Sequence, residues 1–166
     1  MKLPDVIDKL EENSEFKKWR DEHPQAYIAH AFMMMDKVNE NIWQIGYYHP
    51  DNDKITTFII EGDDIKISPE SNIFKRPDSK VEKLDLEKVK IGTVQAVETA
   101  EGLMEKEYPK AVPLKMFFIV QSIPKHGTVY NVTFLSQDFQ AINMRISSET
   151  GDVLSHKAEK ILDIKK

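Results

Sequence analysis

Alternation of apolar and polar residues is clearest between Tyr130 and Leu154. Tyr130, Val132 and Phe134 alternate with Asn131 and Thr133, the period of two expected of a strand with one buried face. After Ser136-Gln137-Asp138, residues Ile142, Met144 and Ile146 alternate with Asn143, Arg145 and Ser147, so a second antiparallel strand can lay its apolar set beside the first. Gly151, within Thr150-Gly151-Asp152, is free to take positive φ where the chain must reverse. Val153-Leu154 should then return an apolar pair to the core.

From the N-terminus, Leu3, Val6, Ile7 and Leu10 fall at i, i+3, i+4 and i+7, which puts one apolar stripe on a first helix. Phe16 and Trp19 leave that phase, so Asn13-Ser14 reads as a break and re-cap, with a second helical segment stopping before Pro24. Residues 26–36 are apolar at nearly every position and predict a central strand or one covered on both faces. Strands over Ile42–Tyr48, with Trp43, Ile45 and Tyr47 on one side, and over Ile55–Ile60 follow, with turns at Pro50–Asp53 and Glu61–Asp64.

The segment 68–83, with Pro69 and Pro77, reads as a linker between a first α+β repeat over 1–67, helical at its N-terminus, and a second over 84–166. Thr93 is expected to cap a helix running to Glu107 and ended by Pro109. A buried strand at Met116–Gln121 precedes the turn Lys125-His126-Gly127. In the tail, Ala158, Ile161 and Leu162 keep helical spacing and suggest a short closing helix.

The two halves echo each other. Glu22-His23-Pro24-Gln25-Ala26 matches Glu107-Tyr108-Pro109-Lys110-Ala111, and Ala31-Phe32-Met33-Met34 matches Met116-Phe117-Phe118-Ile119, both at an offset of 85. The offset is 87 where Trp43, Ile45 and Tyr47 meet Tyr130, Val132 and Phe134, and 89 where Gly62-Asp63 meets Gly151-Asp152. Each increase falls in a loop, as drift after duplication would. Residues 88–154, with Tyr108-Pro109-x-Ala111, an apolar strand, Tyr130-x-Val132-x-Phe134 and Thr150-Gly151-Asp152-Val153, resemble a PepSY domain, the propeptide-type module of thermolysin-like metalloproteases. Residues 14–65 resemble it more weakly. The resemblance implies a helix packed on a curved antiparallel sheet, of PepSY or cystatin-like kind, used for contacts with other proteins, including inhibition of proteases.

Charge and composition narrow the functional classes. The net charge is −5, and residues 1–80 carry 11 Lys+Arg against 16 Asp+Glu, which argues against nucleic acid as a partner. No apolar run approaches the roughly 20 residues of a membrane span. The first residues are acidic where a signal peptide would be apolar, and the chain has no cysteine, so a cytoplasmic protein without disulfides or thiolate metal sites is expected. That differs from the mainly extracytoplasmic PepSY family.

Chemical motifs are scarce. His23, His30, His49, His126 and His156 show no zinc-motif spacing, and the calcium-like Asp51-Asn52-Asp53 has Gly62 at the twelfth position where a bidentate Glu is needed. Neither G-x-S-x-G nor a glycine-rich phosphate loop occurs. No catalytic residue, cofactor or metal site is therefore expected. His30, in an apolar strand, is the candidate for a pocket beneath the helix, and Tyr48 and His49, at a strand end, are candidates for exposed partner contacts. The chain reads as an α+β, non-enzymatic module that binds a protein or peptide, with strand addition at a sheet edge as the mode. A cup-shaped ligand binder or enzyme and an acidic secretion-type chaperone are the alternatives, and a homodimer is left open.

Overall fold

The computed structural model describes residues 2–72 and 80–161. Helices α1 (Leu3–Glu12) and α2 (Ser14–Glu22) lead into strands β1 (Tyr27–Met34), β2 (Ile42–His49), β3 (Lys54–Glu61) and β4 (Asp64–Asn72). A single 3-10 turn at Leu86–Lys88 precedes helix α3 (Thr93–Glu107) and strands β5 (Pro113–Ile123), β6 (Gly127–Ser136), β7 (Gln140–Ser147) and β8 (Val153–Lys160). The fold is α+β, with one eight-stranded sheet ordered β4-β3-β2-β1-β5-β6-β7-β8 and antiparallel throughout.

The helices form where the pattern places them. Leu3, Val6, Ile7 and Leu10 are all buried on α1, and Asn13 Oδ1 accepts from the Phe16 amide at 3.0 Å to start α2, satisfying one of the orphan donors of a first turn. Phe16 and Trp19 turn α2 onto the sheet, where they pack against Tyr47 and Phe58 with ring centroids 4.9 to 5.5 Å apart. The β6–β7 register places Tyr130 opposite Ile146, Val132 opposite Met144 and Phe134 opposite Ile142, so the alternating residues share one buried face. One main hydrophobic cluster runs from Leu3 to Ile146 and draws on both expected repeats.

Four expectations are corrected. Residues 68–72, assigned to the linker, are the last five of β4, and residues 73–79 lie outside the described residues. The closing helix is instead β8, paired along β7 from Gln140–Lys160 to Ile146–Val153; the pairing open on β7 outweighs a helical stripe of so few residues, and Leu162 lies outside the described residues. Val153 and Leu154 remain 37% and 38% exposed rather than joining the core, because β8 is an edge strand with nearly all of its residues outward. The N-cap of α3 is Gly92, with no side-chain capping bond, and Thr93 is its first helical residue.

Gly46 shapes the face of the sheet away from the helices. Its neighbours Ile45 and Tyr47 belong to the helix-side cluster, so position 46 points the other way, where the His30 ring lies over it. A Cβ on residue 46 would meet His30 ring atoms at 2.3 to 2.8 Å. Burial of that ring holds the His30 pKa below its ordinary 6.5, so protonation is disfavoured in the fold.

Two outcomes are expected. Gly46→Ala destabilises by about 1–3 kcal/mol in denaturant titrations, and His30→Ala relieves most of that loss, because the clash is with this ring alone; additive effects in the double-mutant cycle would refute the contact. The depressed histidine pKa means that the unfolded chain binds the proton more readily, so stability falls as pH drops below 6.5 and the fall stops below the folded value. Tm measured from pH 7.5 to 5 should therefore fall less in His30→Gln than in the wild type.

Candidate functional site

A cleft of about 780 Å³ opens where α1, α2, the start of β1, the end of β2 and the 83–87 connection converge. Its floor is apolar, from Ile7, Phe16, Ile28, Tyr47, Leu84 and Leu86, and its rim carries Glu11, Lys17, Arg20, Asp21, Lys83, Asp85 and Glu87. The corner between α1 and α2 at Asn13 creates one wall. The other is the returning chain, held by the Leu84 amide donating to the Ile28 carbonyl at 2.9 Å and the Tyr27 hydroxyl donating to the Val81 carbonyl at 2.5 Å.

Of the charged groups at the cleft rim, Arg20 is committed to backbone. The Arg20 guanidinium donates to the Ala26 carbonyl and, at 3.5 Å, to that of His23, so it braces the α2–β1 connection. Lys9 reaches from α1 to the β3–β4 turn, donating to the Gly62 carbonyl and pairing with Asp63 at 2.7 Å, which holds the Asp63 carboxyl below its usual range. Burial, with the Glu11 carboxylate nearby, pushes the Tyr47 phenol far up. A neutral phenol beside a carboxylate equips the cleft to hold an apolar group with a polar edge.

The residues singled out from sequence lie elsewhere. His30 is on the opposite face of the sheet over Gly46 and does not line this cleft, so the pocket anticipated around it lies on the wrong side of β1. Tyr48 and His49, expected at an exposed strand end, are only 8% and 3% exposed. Tyr48 packs with Ala29, Ile55, Tyr27 and Val81, and its hydroxyl donates to Asp53, a bond that pushes its pKa up to about 12. His49 is covered by α2: Trp19 stands edge-on to it at 5.7 Å and His23 at 5.2 Å. Its Nε2 lies 2.7 Å from Thr56 Oγ1 and 3.6 Å from Glu70 Oε1. Among the described residues, His23, His49 and Glu70 are the cluster that could hold a metal, with one ligand atom of each within 4.8 Å of the others. The spacing of the histidines gave no sign of it, since its members come from a helix end and two strands.

No family model matches the chain, and no curated protein matches it. No helix among the described residues is long and apolar enough to cross a membrane. Among solved structures, the chain is similar to the crystal structure of a putative lipoprotein (CD1622) from Clostridium difficile 630, with a TM-score of 0.53 and 17% sequence identity over 87% of this chain and 90% of that one. At that identity the likeness shows a shared fold.

Proposed function

We propose that the chain is a tandem pair of PepSY-like units acting as a non-enzymatic binding module, and that the cleft beneath α1 and α2 is its recognition site. The order of elements supports the tandem: a helix and a four-stranded meander, α2 with β1–β4, are followed by another, α3 with β5–β8. Met33 pairs directly with Phe118 across β1 and β5, and these are the residues equated by the offset of 85. A strand meeting its own related copy antiparallel does so at one self-equivalent pair, and alignment and register name the same pair.

The observation that carries the binding role is the cleft itself. At about 780 Å³, with an apolar floor and a charged rim, it is within the size range of ligand-binding pockets, and its layout is that of a peptide groove with an apolar centre and polar edge. Glu11, Asp21, Asp85 and Glu87 face Lys17, Arg20 and Lys83 at the rim, four acids against three bases, a balance of one negative charge. The complementary occupant is a peptide segment with one or two large apolar anchors and basic flanks. Cytoplasmic placement is the location that the sequence favours; the lipoprotein description of the structural neighbour points instead to a membrane surface, and fractionation of the native host distinguishes the two.

An array of fluorescent peptides with apolar anchors and Lys/Arg flanks, read by anisotropy, tests the role. Binding should occur in the wild type, weaken about tenfold in Glu11→Lys/Glu87→Lys with a slower association rate, and be blocked by Leu86→Arg. Glu159→Lys on β8 should bind as the wild type does. Equal binding by all variants would remove the cleft from the proposal, and stabilisation by a small metabolite with no peptide binding would move the role to a ligand carrier.

A further inference from the structure

We propose that His23, His49 and Glu70 form a site for a divalent first-row transition metal, with zinc as the reference ion. The three side chains reach it from different elements. His23 closes α2, His49 ends β2, and Glu70 comes from the outer strand β4. The β3–β4 register explains how an edge residue points inward: Ile55 pairs with Ser71 and Thr57 with Ser68, so Pro69 and Glu70 together face Thr56. A bulge of this kind re-aims a side chain, and here it brings Glu70 to within 3.6 Å of His49.

Second contacts orient each ligand. His23 Nδ1 lies 2.9 Å from the Trp19 carbonyl, and because a carbonyl only accepts, Nδ1 carries the hydrogen and Nε2 of the neutral ring presents its lone pair. A histidine donating one ring N–H to a backbone carbonyl is the arrangement seen at metal sites. Glu70 Oε2 accepts from Asn52 Nδ2 at 3.1 Å, which leaves Oε1 on the side of His49. His49 Nε2 shares a hydrogen with Thr56 Oγ1 at 2.7 Å, and rotation of that hydroxyl frees the nitrogen. Ligand atoms about 2.0–2.1 Å from a tetrahedral ion stand roughly 3.3 Å apart, so a spread of 4.8 Å closes with small side-chain rotations. Glu70 is exposed and gives the ion an entry path.

Two imidazoles and one carboxylate suit zinc, nickel or copper rather than calcium or magnesium, which take oxygen ligands. Three protein ligands leave one position for water or for a donor from a partner. Bound there, the ion ties the end of α2 to both β2 and β4. None of the three ligands lines the cleft, and the site does not depend on the binding role proposed above.

Titration of the tag-free, chelator-stripped chain with zinc chloride, followed by calorimetry, tests the proposal, and cobalt absorption reads the coordination. One equivalent should bind at micromolar or tighter affinity and raise Tm, and acidification should release the ion because imidazole ligates only when neutral. Glu70→Gln, at an exposed position, should weaken binding at least tenfold with the circular dichroism spectrum unchanged. His23→Ala should abolish it, and Asn52→Ala should weaken it about tenfold through loss of orientation. No saturable binding up to about 1 mM, or equal affinity in the wild type, Glu70→Gln and His23→Ala, would overturn the assignment.

Discussion

Five residue pairs between β1 and β5, from His30–Gln121 to Met34–Phe117, join two four-stranded meanders into a single sheet. These are the most apolar strands of their halves, and each needs a neighbour on both edges. Left apart, they would present long apolar edges open to pairing with any other chain. Their union also fixes register on both faces, because a slip of one residue would turn every side chain over. On the helix side, Trp43, Phe118 and Tyr130 follow one another across β2, β5 and β6 at 5.7 and 5.6 Å. On the other side, Phe32 meets Phe117 at 5.8 Å. Aromatic pairs of this kind add roughly 0.5–1.5 kcal/mol each beyond their area, so the seam is cemented on both faces.

With the seam set, the helices cover the sheet unequally. The single helix α3 contributes Ala96, Ala100 and Met104 to the core, and its small residues let it sit close. The first half is covered by two short helices at a corner, with the large rings of Phe16 and Trp19 beneath. Bulky contacts and a bent cover leave space at the corner, and the connection returning along Ile28 closes that space into a cleft. Both candidate sites flank Trp19: the cleft lies on its Phe16 side and the histidine cluster on its His23 side, where the indole stacks on His23 at 4.9 Å.

Much of this was legible in the chain, and the failures share a cause. The buried faces of strands β6 and β7 could be read from the chain because one face is buried and the other wet, which is the condition that writes a period of two into a sequence. Helix α1 was legible for the corresponding reason. The edge strands were not: β4 ends in Ser-Pro-Glu-Ser-Asn, and β8 is Val-Leu-Ser-His-Lys-Ala-Glu-Lys, and a strand with little buried surface carries no periodic signal to detect. Tyr48 and His49 were misplaced because a strand end looks exposed until the neighbouring helix is known to cover it. The cluster of His23, His49 and Glu70 was invisible for a further reason: its geometry depends on a bulge in β4, and β4 was not recognised as a strand.

The same edge strands bear on how a partner could dock. Strand addition needs a regular row of free backbone donors and acceptors. Pro69 removes a donor from β4 and sits within its bulge, and β8 sets Lys157, Glu159 and Lys160 along the opposite edge, with Lys157 and Glu159 paired at 2.8 Å. Proline, bulges and charge are the devices by which sheets resist unwanted pairing. Both ends of this sheet carry them, which counts against the strand addition expected from the sequence. Of the described surfaces, the cleft under α1 and α2 combines an apolar floor with a charged rim, and for the binding role proposed above that combination would let side chains set affinity and orientation.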